Sequence, residues 1–257
     1  MKTCVLVPTF QSENRLPLFF NYLRKLEPKP DKLVFLENNS TDNTLLLLEN
    51  FAKEGLFDTK IIRLWFKDDR IGEPPLYRMA IIRDILLQYA RKLNVDYAFF
   101  VDDDVLIIST NMIHILTNLE KDIVGASVKM SIMGVGVVID AVFGTLSCTY
   151  PKTQLNFPIE SCLSVGWNCV CLSKRVLQDK RLNCLPLVVY NGYWTSEGNG
   201  FDFKAGLLGY KIFVTSIVKI VHVQYVDKKR SWSGKTMEDF AVDLALRQPN
   251  QELWITL

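Results

Sequence analysis

The stretch AFFVDDDV, residues 98–105, decides how the rest of the chain is read. Tyr97–Val101 is apolar at nearly every position, the pattern of a strand covered on both faces in a parallel sheet. Asp102, Asp103 and Asp104 follow it without a spacer. In an open α/β sheet the carboxyl ends of the strands line the ligand crevice, so the three carboxylates fall where small molecules bind. Adjacent like charges repel, and a cation offsets that repulsion. Mg²⁺ and Mn²⁺ suit such a place, because they take one or two carboxylates together with substrate phosphate oxygens. Taken alone, the same triplet also reads as a solvated acidic turn ahead of a helix.

Upstream of the triplet, Thr3–Val7, Leu33–Leu36 and Ile61–Phe66 are further short apolar runs. Between the runs, Arg15–Leu26, Thr41–Ala52 and Leu76–Leu93 repeat apolar residues at three- and four-residue spacing, the helical period. Ser40, with Asp42 two residues on, predicts the start of the second helix. Strands alternating with helices imply a parallel sheet with right-handed crossovers. Beyond Val105 the rhythm changes. Ile123–Met130, Val135–Val142 and Asn168–Leu172 predict strands or hairpins, and a last helix near Phe201–Leu208 leads into Lys211–Val214 and Val218–Val223. No linker, repeat or low-complexity stretch divides the chain. Residues 1–225 are expected to form one domain, with 226–257 a C-terminal tail or helix packed on it or extending from it.

With 30 basic and 28 acidic residues in 257, the chain has no broad field to draw nucleic acid or an anionic membrane. The six cysteines include no CxxC pair, which argues against a zinc ribbon or a thioredoxin-like site. A disulfide from Cys169 or Cys171 to Cys162 or Cys184 stays open at this stage. The N-terminal apolar run stops at Pro8, too short for a secretory signal, and Ser131–Leu146 falls short of the roughly 20 residues that span a bilayer. A cytoplasmic protein without a transmembrane segment is the expectation. The basic run Lys228–Arg230 beside Trp232 reads as a solvated surface, a mobile lid over a diphosphate, or a peripheral membrane contact.

At the triplet the sequence resembles the GT-A glycosyltransferases, and glycosyltransferase family 2 in particular, whose DxD motif closes a strand with this apolar approach. The opening VLVPTFQSENRL (5–16) resembles the family's first strand and nucleotide-binding turn, which implies that Pro8, Thr9 and Phe10 lie beside the base. VFLENNSTDNT (34–44) is similar to its second strand and helix start, placing Glu37 and Asn38 at its acidic pair. The family usually has Asp where this chain has Asn38, and an amide donates as well as accepts. YRMAIIRDILLQYA (77–90) resembles the helix before the DxD strand, with Arg83 reaching the base or a phosphate and Asp84 in place of Asn. A surface salt bridge of Arg83 with Asp84 or its neighbours is the competing account, and Arg78 is a second candidate for the ligand contact. The resemblance implies that Asp102 contacts ribose or joins the metal shell, that Asp103 joins the nucleotide or the metal, and that Asp104 binds the ion. A metal clamp stabilises the charge that the leaving diphosphate gains.

In the second half, SVGWN (164–168) resembles the acceptor-side segment, with Gly166 letting backbone approach a ligand. Trp167 reads equally as a face on which a sugar stacks and as core. The string TSEGNGFDFKAGLLGYKIFVTSIVKIVHV (195–223) is similar to the family's ED helix, GYKI turn and histidine-ending strand. Glu197 falls on the first acid of the ED pair. Gly198 falls on the usual catalytic Asp, and glycine cannot serve as a base. Glu197 is the favoured replacement, Asp202 one turn along is a second, and a retaining arrangement is a third. Glu197 also reads as part of a helix start. His222 stands where relatives place a metal ligand.

The expectation is a metal-dependent (Mn²⁺ or Mg²⁺) transfer of a sugar from a UDP- or GDP-linked donor to a hydroxyl on a glycan, lipid or protein, with inversion. A catalytically silent protein of the same fold that binds sugar nucleotides is the alternative. A nucleotidyltransferase or a dehydrogenase would need a glycine-rich loop after the first strand, and VPTFQSENRL has no glycine.

Overall fold

The computed structural model describes residues 1–65, 75–131, 138–140, 142–145, 148–151, 157–185, 188–189, 193–194 and 196–223. Its first half alternates strand and helix: β1 (Thr3–Thr9), α1 (Leu16–Leu23), β2 (Lys32–Asn38), α2 (Thr44–Lys53), β3 (Thr59–Leu64), α3 (Pro75–Leu93) and β4 (Tyr97–Val101). After the acidic triplet come β5 (Val105–Ile107), α4 (Met112–Asn118), β6 (Ile123–Ser131), β7 (Val138–Asp140), β8 (Val142–Thr145) and β9 (Cys148–Pro151). The chain continues through β10 (Ile159–Cys162), β11 (Ser164–Val165), β12 (Cys169–Ser173), α5 (Lys174–Gln178), β13 (Val188–Val189), β14 (Tyr193–Trp194), α6 (Glu197–Leu207) and β15 (Ile212–Val223).

The main sheet runs β10-β15-β6-β12-β4-β1-β2-β3. Strands β4, β1, β2 and β3 are parallel, as the apolar runs predict, while β12 lies antiparallel between β4 and β6. Strand β15 runs parallel to β6 and absorbs a register shift between Thr215 and Ile220, so the two runs read separately in the sequence are one strand.

Side chains alternate across each strand, and the alternation sorts them into two cores. Val5, Val7, Phe35, Phe99 and Val101 face α1, α2 and α4. On that side Phe20 stacks on Phe51 at 4.1 Å between ring centroids and meets Phe35 edge-on at 6.1 Å. Cys4, Leu6, Leu36, Ala98 and Phe100 face the other way, toward α3, α5 and α6. Each large side chain so buried contributes about 2 kcal/mol.

Several local expectations change. Helix α2 starts at Thr44 after Asn43, whose own side chain makes no capping hydrogen bond. Ser40 instead accepts the Gln11 N–H, and Asp42 accepts those of Glu13 and Thr44. Helix α6 starts at Glu197, with Ser196 accepting the Asn199 N–H as its cap. Cys4, Cys162, Cys169, Cys171 and Cys184 are free thiols, so the disulfide left open in the sequence does not form. Burial pushes Cys4, Cys162 and Cys169 up to about 12. Among the described residues no helix is long and apolar enough to cross a membrane. The run Lys228–Arg230 and Trp232 lie outside the described residues.

Candidate functional site

Strands β1, β2 and β4 end side by side, and their three loops are tied together. Pro8 and Thr9 close β1 buried, while the Phe10 ring is 40% exposed with the Arg78 guanidinium 5.8 Å from its centroid. The β1–α1 loop is fastened to the β2–α2 loop: Ser12 donates its N–H to Thr44 Oγ1 at 2.6 Å, and Gln11 Nε2 donates to Thr41 Oγ1 at 2.8 Å. Glu37 is buried and accepts the Ser40 N–H at 2.6 Å, with Arg63 Nε 3.7 Å from its other oxygen. Asn38 is 1% exposed, and neither its Nδ2 nor its Oδ1 has a hydrogen-bond partner among the described residues. An amide left so in the interior loses its water without replacement, an arrangement that a bound polar ligand would relieve.

The three aspartates separate. Asp102 accepts two hydrogen bonds from Arg83 Nη2, at 2.8 and 3.0 Å. Asp103 turns to the opposite face, where Ser12 Oγ donates to it and Arg15 Nη2 stands 3.3 Å away. Burial raises the Asp103 carboxyl to about 7, although Arg15 and Ser12 pull it back. Asp103 thereby clamps the β1–α1 loop, since Arg15 also donates to the Phe10 carbonyl at 2.9 Å. Asp104 is half-buried in the turn before β5. Strand β15 pairs there with β5 and sets His222 opposite Val105, the residue after Asp104. The His222 side chain lies outside the described residues. Among the described residues no group of three or more His, Cys, Asp or Glu side chains is arranged to hold a metal ion.

Arg83 does not pair with Asp84. It is 4% exposed, and besides Asp102 it donates Nη1 to the Trp167 carbonyl at 3.1 Å and brings Nε within 3.5 Å of Glu197 Oε1. Asp84 accepts the Cys184 N–H instead. Arg83 therefore joins the end of β4 to the start of α6.

On the α6 side, Trp167 is 4% exposed and packs between Phe100 at 5.1 Å and Phe201 at 4.8 Å. Of the two readings its sequence allowed, the structure takes core, so no open indole face remains for a sugar. Gly166 beside it is half-buried. Gly198 lies flat on the indole: a Cβ there would stand 2.5 Å from Trp167 Cδ1 and 2.6 Å from Cγ. Position 198 is glycine because the indole occupies the space of a side chain. Asp202 is fully buried and accepts from Ser164 Oγ (2.8 Å), the Val165 N–H (2.9 Å) and Trp167 Nε1 (3.2 Å). Its carboxylate is thus committed to β11 and the indole, and burial raises it to about 7 against the pull of those donors. Glu197, with its side chain 10% exposed, is the acid that borders Arg83 and stands first in α6.

Sequence reasoning did not single out Ser12, Arg15, Arg63 or Ser164. The first two sit in the same loop as Phe10, where a hydroxyl and a guanidinium close to a buried carboxylate were the available signal.

Residues 4–72 match the family model described as Glycosyl transferase family 2. None of the curated proteins matches the chain. Among solved structures it is similar to S. aureus TarS, at 20% identity and a TM-score of 0.59 over 87% of this chain and 37% of that one. It is also similar to TarS 1–349 in complex with UDP, at 20% identity and a TM-score of 0.59 over 86% of this chain and 60% of that one. With TarS 1–349 in complex with UDP-GlcNAc the identity is 19% and the TM-score 0.58, over 88% and 60%. The chain thus spans between 37% and 60% of the length of these structures. The described chain has the GT-A glycosyltransferase fold, and its first strands carry the sequence pattern of glycosyl transferase family 2.

Proposed function

We propose that the chain transfers a sugar from a UDP- or GDP-linked donor to a hydroxyl acceptor, with inversion and with a divalent cation. One observation carries the reading. Asp102, at the end of β4, and Glu197, at the start of α6, converge on the single buried guanidinium of Arg83. On this reading a donor-side acid and an acceptor-side acid would be held by one guanidinium, on either side of the anomeric carbon where the displacement takes place.

The residues present fit Mg²⁺ or Mn²⁺. Asp103 is held by Ser12 and Arg15, so Asp102 and Asp104, both half-buried beyond the end of β4, are the carboxylates that would hold the ion. That sparse set suits a cation that takes its remaining ligands from phosphate and water. Such an ion, when bound, neutralises the charge developing on the departing diphosphate. Phe10 and Asn38 would border the base, with Pro8 and Thr9 shaping the turn beneath it and Glu37 holding the neighbouring loop in place. TarS 1–349 crystallised with UDP and with UDP-GlcNAc supports a nucleotide-linked donor on this fold. Glu197 would take the proton of the acceptor hydroxyl as its oxygen bonds to the anomeric carbon and the bond to the diphosphate breaks. Asp202 would act indirectly, by holding Trp167 and β11 against α6.

A second reading, a binding protein without turnover, is favoured by Gly198, whose site the indole closes to any side chain. Incubation with Mn²⁺ and a panel of UDP- and GDP-sugars separates the two. Release of nucleoside diphosphate that falls about 100-fold or more in Glu197→Gln supports the enzyme. Tight binding with no turnover in the native chain supports the silent protein.

A further inference from the structure

Arg83 is a cation placed where nothing but protein surrounds it. Its Nη2 spans both oxygens of Asp102 at 2.8 and 3.0 Å, and its Nη1 donates to the Trp167 carbonyl at 3.1 Å. Its Nε edge lies 3.5 Å from Glu197 Oε1, and its Cζ stands 5.7 Å from the centre of the Trp167 ring. The planar fork of a guanidinium reaches three groups at once, and the point charge of lysine does not. Asp102 and Glu197 are thus second neighbours through one side chain, although 95 residues separate them in sequence.

We propose that Arg83 is a positioning residue that couples the two halves of the site: it aims Glu197 at the acceptor while it holds Asp102 for the donor, so that a change at either acid is felt at the other. The inference rests on Glu197 being the base. The packing supports a rigid link. Trp167, which meets Arg83 on its ring face and through its backbone carbonyl, has its indole held by Asp202 and flanked by Phe100 and Phe201. With the indole pinned, Arg83 has one place to sit, and a displaced Asp102 moves the guanidinium rather than the ring. Arg83 is 4% exposed and bonds both oxygens of Asp102, so its effect on the donor runs through Asp102.

The test uses two linked readouts on the full chain. The first is binding of UDP with Mn²⁺ by titration calorimetry. Glu197→Gln, at an acid that faces the acceptor, is expected to change that affinity about threefold or more in the native background and to leave it unchanged in the Arg83→Lys background. The second is turnover of whichever UDP- or GDP-sugar the native chain hydrolyses with Mn²⁺. Arg83→Lys should lower kcat by about tenfold or more, yet lower that of Glu197→Gln by less than about twofold, because the positioned group is already gone. Arg83→Lys keeps the buried charge; should it fail to fold, the calorimetric effect of Glu197→Gln and of Asp102→Asn, singly and together, reads the same link with Arg83 intact. Independent, additive effects in these cycles overturn the coupling while leaving Glu197 as the base. A Glu197→Gln variant with native turnover removes the base assignment, and the coupling with it.

Discussion

Glycine in the first turn of a helix ordinarily weakens it, and replacing it by alanine gains about 0.5–1 kcal/mol. At Gly198 the structure predicts the opposite sign. The backbone there is compatible with an L residue, since among the described residues the positive-φ glycines are Gly55 and Gly209. The obstacle is the indole: the new methyl would stand 2.5 Å from Trp167 Cδ1, 2.6 Å from Cγ and 3.1 Å from Nε1. Trp167 cannot yield, because Phe100 and Phe201 flank it and Asp202 holds its Nε1 at 3.2 Å. Overpacking of this kind costs about 1–3 kcal/mol, more than the gain in helix propensity. Gly206 is the internal control, in the same helix, where a methyl group would meet nothing within 4 Å. Urea unfolding should show Gly198→Ala destabilised by roughly 1–2 kcal/mol net and Gly206→Ala neutral or stabilised by about 0.5 kcal/mol. If Gly198→Ala were as stable as Gly206→Ala, the indole would not be the reason this helix lacks the usual aspartate.

Asn38 has no hydrogen bond to lose among the described residues, so Asn38→Leu should leave stability unchanged or raise it by about 1 kcal/mol, while weakening UDP binding about tenfold; a large loss of stability with unchanged UDP affinity would contradict this. Asp202 gives a pH prediction of definite sign. Its folded carboxyl sits at about 7 against an ordinary 3.8, so the folded chain holds the proton more tightly than the unfolded one. Stability from the neutral form is complete below the ordinary value and is lost as pH rises through about 7, on the order of 4 kcal/mol for a difference of that size. Asp202→Asn stays neutral throughout, so its stability relative to the native chain should improve between pH 4 and pH 8; chemical unfolding across roughly that range checks it, and a constant difference would contradict it.

The parallel half of the sheet was legible because β1, β2 and β4 are buried on both faces and their apolar runs are continuous. Strand β12 was legible as a strand but not as the antiparallel insert between β4 and β6, since that pairing joins Cys169 to Val101 across 68 residues of sequence. In the site, the three aspartates were legible as a carboxylate cluster at the end of β4, but β4 stops at Val101 and the turn after it sends Asp102 and Asp103 to different partners. What each would meet there, Arg83 on one side and Ser12 with Arg15 on the other, depends on how α3 and α1 dock. Gly198 read as a missing base; its cause, the indole 31 residues earlier in the chain, is a packing fact that local sequence does not carry.

The most direct test of a cation-assisted donor site is calorimetric titration of UDP into the native chain and Asp104→Ala, each with Mn²⁺ and with EDTA. Mn²⁺ is predicted to tighten UDP binding about tenfold or more in the native chain, and Asp104→Ala to abolish this gain while its metal-free affinity stays the same. Equal Mn²⁺ enhancement in both proteins would contradict it.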